Sequence, residues 1–309
     1  MILIIGNSSD KAKTVVDEIK KISKKKVIIF KADKCIEGEA IGFSLINDKA
    51  MLFADISGKD FDLNEATSVW YWKPLLPKVL RTIEPARHQI FIHRQFLTIW
   101  RSIASCLSDR MWINDYYKLL EAENKPYQIK LASEIGFDIP DTLITSDPKR
   151  AIDFWEYCDK KMIIKTLALS QTEDSMIYTN KVTEEIMLKI ERLRSSPVIM
   201  QKLVPTKYGL RITVVGDDIF PARVESDSEI DWRRSEIKLK KYHLPGEIKD
   251  KCFCMVRKLG LKYGCIDMIL TPDGKYVFLE INPNGQWSFV AERTGMPIGE
   301  AIAHLLVHE

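Results

Sequence analysis

At 309 residues the chain exceeds one small core and suits two or three compact units of roughly 100 to 200 residues each. Hydrophobic residues make up 46% and charged residues 29%, a soluble globular composition that argues against disorder. Because 46 basic residues nearly balance 43 acidic ones, the net +3 makes no case for nucleic acid or membrane as partner, and any such role must rest on a local patch.

In chain order, "MILIIGNSSD" lacks the basic flank of a signal peptide, and no later apolar run approaches the roughly 18 residues that span a bilayer, so the expected location is cytoplasmic. "MILIIG", "KVIIFKA", "AIGFSLI", "KAMLFADI" and "SVWYWKP" read as strands and "KAKTVVDEIKKI" as an amphipathic helix, which together predict an N-terminal α/β domain over 1–115. Helical spacing of Phe91, Phe96, Leu97, Trp100, Ile103, Ala104 and Leu107 predicts a long helix packed on that domain. A central α+β unit over 116–200 follows. It holds helix 147–158, strand "KMIIKTL", loop "ALSQTEDS", strand "MIYTN", helix 183–194 capped by Thr183 and strand "PVIMQKLV". The last unit, 201–309, contains strands "LRITVVG" and "IFPARVES", a basic loop, helix 246–259 stopped by Gly260, strands "YGCIDMILT" and "KYVFLEIN", and a final helix. Cys35, Cys106, Cys158, Cys252, Cys254 and Cys265 show neither CxxC nor Cys/His spacing and are expected to be reduced structural thiols.

"CIDMIL" and "YVFLEI" are joined by "TPDGK", and Asp273-Gly274 is a preferred pair for a two-residue turn. Pairing Pro272 with Lys275 then sets Asp267 opposite Glu280, with Asn282 two residues further along the same face. Two opposed carboxylates in an apolar sheet repel and lose solvation, so the arrangement asks for a neutralising cation. Oxygen donors alone favour Mg²⁺ or Mn²⁺ over zinc. A protonated or Lys-paired carboxylate pair is the alternative, and a three-residue loop would turn Asp267 to the other face. Beyond Asn282, Gly285 permits close backbone approach and "WSFVAERTG" starts a helix whose amides favour an anion, a combination suited to phosphoryl chemistry.

These residues resemble the ATP-grasp ligases, whose last strands carry D…ExN metal ligands, and more narrowly the microviridin-type maturases that form graspetides. The narrower likeness rests on "WIND", "ENKPYQIKLASEIGFDIPDTLIT", "IIKT", "IMQKLVPTKYGLRITVVGDDIFPARVES", "DWR" and "YGCIDMILTPDGKYVFLEINPNGQW", in family order from about Trp112 onward. The implied fold is α/β ATP-grasp: an N-terminal pre-ATP-grasp domain, a central α+β domain and a C-terminal α+β domain with an antiparallel sheet. The resemblance implies Mg²⁺ on Asp267, Glu280 and Asn282, with Glu280 touching two ions. It places ATP phosphates near Lys125 and Lys165, and the adenine edge on the backbone of Gln201, Lys202, Leu203 and Val204. Two departures stand out. "TLALSQTEDSM" has no glycine, which leaves Ser170, Gln171 and Thr172 to cover the phosphates, and Gly209 stands where the family often has an acid.

Arg211 and Arg223 lie on two strands of one predicted hairpin. With Gly216 to Asp218 taken as its tip, both project toward the ATP cleft, where the resemblance has arginines holding phosphates and the reacting carboxylate. The implied reaction phosphorylates an Asp or Glu side chain of an acidic ribosomal precursor peptide, and a Thr or Ser hydroxyl or a Lys amine then closes an ω-ester or ω-amide ring. Lys165 and Lys125 would stabilise the transferred group. "DWRRSEIKLKKYH", with Arg233, Arg234, Lys238, Lys240 and Lys241, is the expected basic docking surface, whereas "KKISKKK" reads as a solvated face. The resemblance favours a homodimer, with leader contacts on the central domain and the 211–223 hairpin. The rival readings are an ATP-grasp ligase that adds free amino acids, such as glutamate, to a protein tail or joins small molecules, and a nucleotide-binding regulator without turnover.

Overall fold

A computed structural model describes residues 1–309 except 10, 76, 78–79, 81, 168–170, 173–174, 177–178, 227–229, 231–234 and 309, and of 171–172 and 175–176 the backbone alone. The chain starts as a β–α–β unit: β1 (Ile2–Gly6), α1 (Lys11–Ile22) and β2 (Val27–Lys31), with β1 and β2 parallel. Ile2 to Ile5 are buried without alternation, as befits a strand covered on both faces. An antiparallel sheet follows, β3 (Ala40–Ile46), β4 (Lys49–Ile56) and β5 (Lys59–Asp62). Its third strand escaped the sequence reading because "KDFD" has one apolar residue. β6 (Ser68–Tyr71) returns to the other side of β1, and after α2 (Ala86–Cys106), β7 (Met111–Ile113) completes the order β2-β1-β6-β7. The expected long helix packs on this domain through its second half, where Trp100, Ile103 and Ala104 meet Leu3, Ile5 and Phe30; Ile90 and Phe91 face solvent.

α3 (Tyr116–Ala122) and α4 (Lys125–Ile135) are capped by the Asp115 and Asn124 side chains. The central sheet follows: β8 (Thr142–Thr145), α5 (Pro148–Tyr157), β9 (Met162–Lys165), β10 (Gln171–Thr172), β11 (Ser175–Met176), β12 (Asn180–Lys181), α6 (Glu184–Met187) and β13 (Val198–Lys202), in antiparallel order β12-β9-β13-β8. The expected loop 168–175 carries the short β10–β11 pair; of the expected strand 176–180, Met176 ends β11 and Asn180 starts β12, while 177–178 lie outside the described residues. Thr183 caps as expected, but helix 183–194 is one α-turn followed by a 3₁₀ segment, Ile190–Ser195, that turns Leu193 inward and leaves Leu188 in solvent. Met162 and Met200 pack on Ala151 and Trp155 of α5. The opposite face carries Ile163, Lys165, Ile199 and Gln201. β13 runs to Lys202, just past the expected boundary at 200.

The last sheet consists of β14 (Tyr208–Val215), β15 (Asp218–Ser226), β16 (Ile237–Lys241), β17 (Tyr263–Leu270) and β18 (Tyr276–Asn282), ordered β16-β15-β14-β17-β18, with α7 (Gly246–Lys258), α8 (Ser288–Thr294) and α9 (Ile298–His308) around it. The expected basic loop is partly a strand. In "IKLKK" Leu239 is buried while Lys238 and Lys240 face outward, an alternation that the charge run obscured. One face of the sheet, with Leu210, Ile212, Ile266, Met268 and Phe278, packs on α4 and α7. The other, with Val215, Ala222, Val224, Tyr263 and Cys265, packs on the N-terminal domain, α8 and α9. All six cysteines are free thiols. No described helix is long and apolar enough to cross a membrane.

Asn114, directly after β7, fastens the N-terminal domain to this sheet. Its Nδ2 donates to the carbonyls of Tyr263 and Pro283, both at 2.7 Å, and its Oδ1 accepts from the amides of Lys262 (2.8 Å) and Tyr263 (2.9 Å). The amide is buried, so truncation strands its partners. Asn114→Ala is expected to lower the unfolding free energy by about 2–4 kcal/mol in urea denaturation, and a loss under about 0.5 kcal/mol would remove the clamp from the account.

Candidate active site

The β17–β18 hairpin differs from the expected one in a way that matters. Thr271 N–H donates to the Lys275 carbonyl at 3.0 Å and closes a three-residue loop, with Gly274 at φ +89°. Leu270 therefore faces Tyr276 and Met268 faces Phe278, one residue out of the expected register. Leu279 then stands as an extra residue, a β-bulge, and beyond it Asp267 faces Glu280 and Cys265 faces Asn282. In a regular strand residues 278 and 280 share a face. The bulge keeps Phe278 in the core with Met268 and turns Glu280 to the other side with Asp267, so the expected pairing is reached by a different route.

The neutralising charge for these carboxylates comes from the protein. Arg211 lies opposite Asp267 on β14, and its Nη1 donates to Oδ1 (3.0 Å) and Oδ2 (2.8 Å) while Nη2 donates to the Gln286 carbonyl (3.2 Å). Arg211 is only 5% exposed. Burial opposes the guanidinium charge, and Asp267 outweighs it, holding Arg211 protonated. Lys125 Nζ lies 3.3 Å from Glu280, which is 34% exposed, and donates to the Thr166 carbonyl at 3.4 Å. It thereby bridges the central and C-terminal sheets. The Gln128 side chain, one turn further along α4, holds this placement by donating to the Ile281 carbonyl (2.8 Å) and accepting from the Ile281 amide (3.0 Å). Asn282 Oδ1 accepts from the Asn284 amide at 3.0 Å. A Cβ on Gly285 would sit 2.5 Å from Cys265 Cβ and 2.8 Å from Arg211 Nη2, so only glycine lets this backbone pass.

Arg223 corrects the second hairpin. Val215 faces Asp218, so the turn is Gly216-Asp217 alone, and Arg211 lies opposite Ala222 while Arg223 lies opposite Leu210. One residue fewer in the loop sends the two arginines to opposite faces of the sheet. Arg223 ion-pairs with Glu225 and stacks 4.7 Å over the Tyr208 ring, away from Asp267.

On the central sheet Lys165 and Gln201 share the face turned from α5. Gln201 is 1% exposed; its Nε2 donates to Thr142 Oγ at 2.9 Å and its Oε1 is buried without a partner. The Lys202 and Leu203 amides donate to the Asp141 and Lys161 carbonyls, both at 2.9 Å, and among the described residues the Val204 amide makes no hydrogen bond. The Lys202 side chain points the other way, over Tyr157. Ser170, Arg233, Arg234 and the side chain of Thr172 lie outside the described residues.

Among the described residues no group of three or more His, Cys, Asp or Glu side chains is arranged to hold a metal. The convergent donors are two carboxylates and an amide oxygen, a hard set that fits Mg²⁺. The orphaned Gln201 Oε1 and the Val204 amide offer a purine edge its acceptor and donor, and the buried, partnerless Arg211 Nε leaves one further donor in the cleft. Sequence reasoning passed over Asn114 and Gln128 as site-building residues. "WIND" and the cap-plus-helix start at Asn124 were the available signals.

Residues 122–306 match the model of the RimK-like ATP-grasp domain. Two probable alpha-L-glutamate ligases of Histophilus somni, strains 2336 and 129Pt, are each 22% identical over 199 residues, 62% of this chain and 66% of theirs, so the chain spans just under two thirds of those relatives. Three solved structures match nearly end to end. Macrocyclase MdnC bound with precursor peptide MdnA from Microcystis aeruginosa MRC has a TM-score of 0.88 at 25% identity, covering 100% of both chains. A Chryseobacterium gregarium RiPP-associated ATP-grasp ligase in complex with ADP and a leader and core peptide has 0.85 at 25% identity, covering 99% of this chain and 96% of its own. Macrocyclase MdnB from Microcystis aeruginosa MRC has 0.83 at 28% identity, covering 100% and 99%. With the domain match extending over more than half of its length, the chain belongs to the RimK-like ATP-grasp family.

Proposed function

We propose that the chain is an ATP-dependent peptide macrocyclase that joins Asp or Glu side chains of a ribosomal precursor peptide to hydroxyl or amine side chains of the same peptide. The supporting observation is that likeness to a macrocyclase bound with its precursor peptide, and to a RiPP-associated ATP-grasp ligase bound with leader and core peptide, runs through the N-terminal domain as well as the ATP-grasp core, while the glutamate ligases match over 62% of the chain.

The substrate carboxylate attacks the γ-phosphorus of ATP, ADP leaves, and an acyl phosphate forms on the peptide. The hydroxyl or amine then attacks the acyl carbon, phosphate leaves with the C–O bond electrons, and the nucleophile's proton is released; each ring removes one water from the peptide. Lys165 and Lys125 face the phosphates and stabilise their developing charge. Gln201 Oε1 and the Val204 backbone hold the adenine edge. Asp267, Glu280 and Asn282 would hold Mg²⁺, which when bound would offset the negative charge of the triphosphate. Arg211 holds Asp267 in place, and its remaining donors face the acid to be activated. The precursor is acidic, matching Lys238, Lys240 and Lys241 on β16, and the enzyme works as a homodimer in the cytoplasm; light scattering tests the dimer.

Glu280→Gln is expected to abolish ring formation, read as loss of one water per ring by mass spectrometry with ATP, Mg²⁺ and a candidate precursor. Because the Lys125–Glu280 pair is partly exposed, its unfolding free energy should change by under about 1 kcal/mol. Undiminished cyclisation would remove the metal role. Asp267→Ala, which strands a buried guanidinium, should by contrast cost about 3–5 kcal/mol of stability. Arg211→Ala should retain ATP binding and lose cyclisation, so wild-type product yield would end the anchoring role. Transfer of free glutamate to a protein tail, with no ring formed, would establish the glutamate-ligase reading instead.

A further inference from the structure

The N-terminal parallel sheet reverses direction between β1 and β6: β1 leads through α1 to β2 on one side, and β6 leads through α2 to β7 on the other. In open parallel α/β sheets the crevice beyond the carboxyl ends of the two strands at such a reversal is where ligands bind. Here those ends are Gly6-Asn7 and Trp72-Lys73. They are tied together: Trp72 N–H donates to the Ile5 carbonyl at 2.8 Å, and Asn7 Nδ2 donates to the Lys73 carbonyl at 2.7 Å. Lys73 sits at φ +45°, a backbone conformation uncommon for a non-glycine residue.

The end of β6 packs against the segment that follows β18. Trp72 is buried against Trp287, ring centroids 6.4 Å apart, and the Gln286 carbonyl just before Trp287 receives Arg211 Nη2. Lys73 is half-buried. Its ammonium lies 5.7 Å over the Trp72 ring and makes no hydrogen bond or ion pair among the described residues. Burial pushes it down, Arg211 and Lys11 act on it in the same direction, and the Cys265 thiol and Glu123 oppose them. Arg211 has Asp267 as counter-ion, but among the described residues Lys73 has no carboxylate in contact. A desolvated cation held beside like charges is an arrangement that an incoming anion completes.

We propose that this crevice, with Lys73 as its cation, binds the acidic side chain of the peptide substrate next to Arg211 before that side chain is phosphorylated. Lysine presents a compact point charge on a flexible stem, which suits an acid that must first be held and then attack phosphorus. The identity of the acid as a peptide side chain rests on the macrocyclase reading; the carboxylate selectivity of the crevice does not.

The test is an NMR titration of N-acetyl-glutamate N-methylamide and its glutamine counterpart into wild-type protein, Lys73→Gln and Lys73→Arg, each with a non-hydrolysable ATP analogue and Mg²⁺. Wild type is expected to prefer the glutamate probe, Lys73→Gln to lose about 10-fold of that preference, Lys73→Arg to keep most of it, and the glutamine probe to bind all three alike. Lys73→Met replaces Lys73→Gln if the latter does not fold. A preference that survives loss of the charge, or its absence in wild type, overturns the proposal. Absence of ring formation from precursor peptides by a wild type that still selects glutamate would count against the macrocyclase reading alone.

Discussion

Buried Arg211 and partly buried Asp267 face each other across adjacent strands, with one guanidinium nitrogen reaching both carboxylate oxygens. Desolvating two charges is costly, and losing either partner afterwards is costlier still, so the surrounding structure has to preserve the pair. Three features do so. Gly285 is the residue that lets the loop after β18 lie against Cys265 and Arg211. The Gln286 carbonyl takes a second guanidinium nitrogen. Tyr263 Oη donates to the Gly285 carbonyl at 2.5 Å, fixing that loop from below.

The consequence for chemistry is a division between the two carboxylates. Asp267 is committed to a buried cation. Glu280, paired with Lys125 at the mouth of the cleft, is partly solvated and its partner also touches the central sheet. Under the proposed function an incoming ion or phosphate would meet Asp267 held by Arg211 and a Lys125–Glu280 pair whose lysine also donates to the Thr166 carbonyl. From the sequence the two opposed acids point to a neutralising cation or to a protonated or Lys-paired carboxylate pair; in the folded protein Arg211 and Lys125 pair with them.

The two hairpins show how far sequence reading reaches. Local chemistry placed both turns, and most strands of the chain, because alternation and Asp-Gly or Gly-Asp signals are short-range. Loop length is decided by a single residue, and a single residue inverts a face. At the β14–β15 hairpin that residue sent Arg223 to the opposite side from Arg211. At β17–β18 the same slip was cancelled by the bulge at Leu279, which no local signal in "YVFLEI" announces: it exists because Phe278 must stay in the core while Glu280 must leave it. Asn114 and Lys73 were illegible for another reason. Their roles depend on the N-terminal domain lying against the C-terminal sheet, a packing between segments some 150 residues apart, as with Asn114 and Tyr263. The fold family, by contrast, was legible in the residue blocks from Trp112 onward.

Under the proposed function Asp267, Glu280 and Asn282 would gather an ion beside the phosphates while Arg211 stays on Asp267. A crystal structure with a non-hydrolysable ATP analogue and Mn²⁺, located by anomalous scattering, tests it most directly. The expected result is a manganese peak coordinated by oxygens of all three side chains, with Lys125 moved from Glu280 toward phosphate. A peak elsewhere in the cleft, with Glu280 still on Lys125, would contradict it.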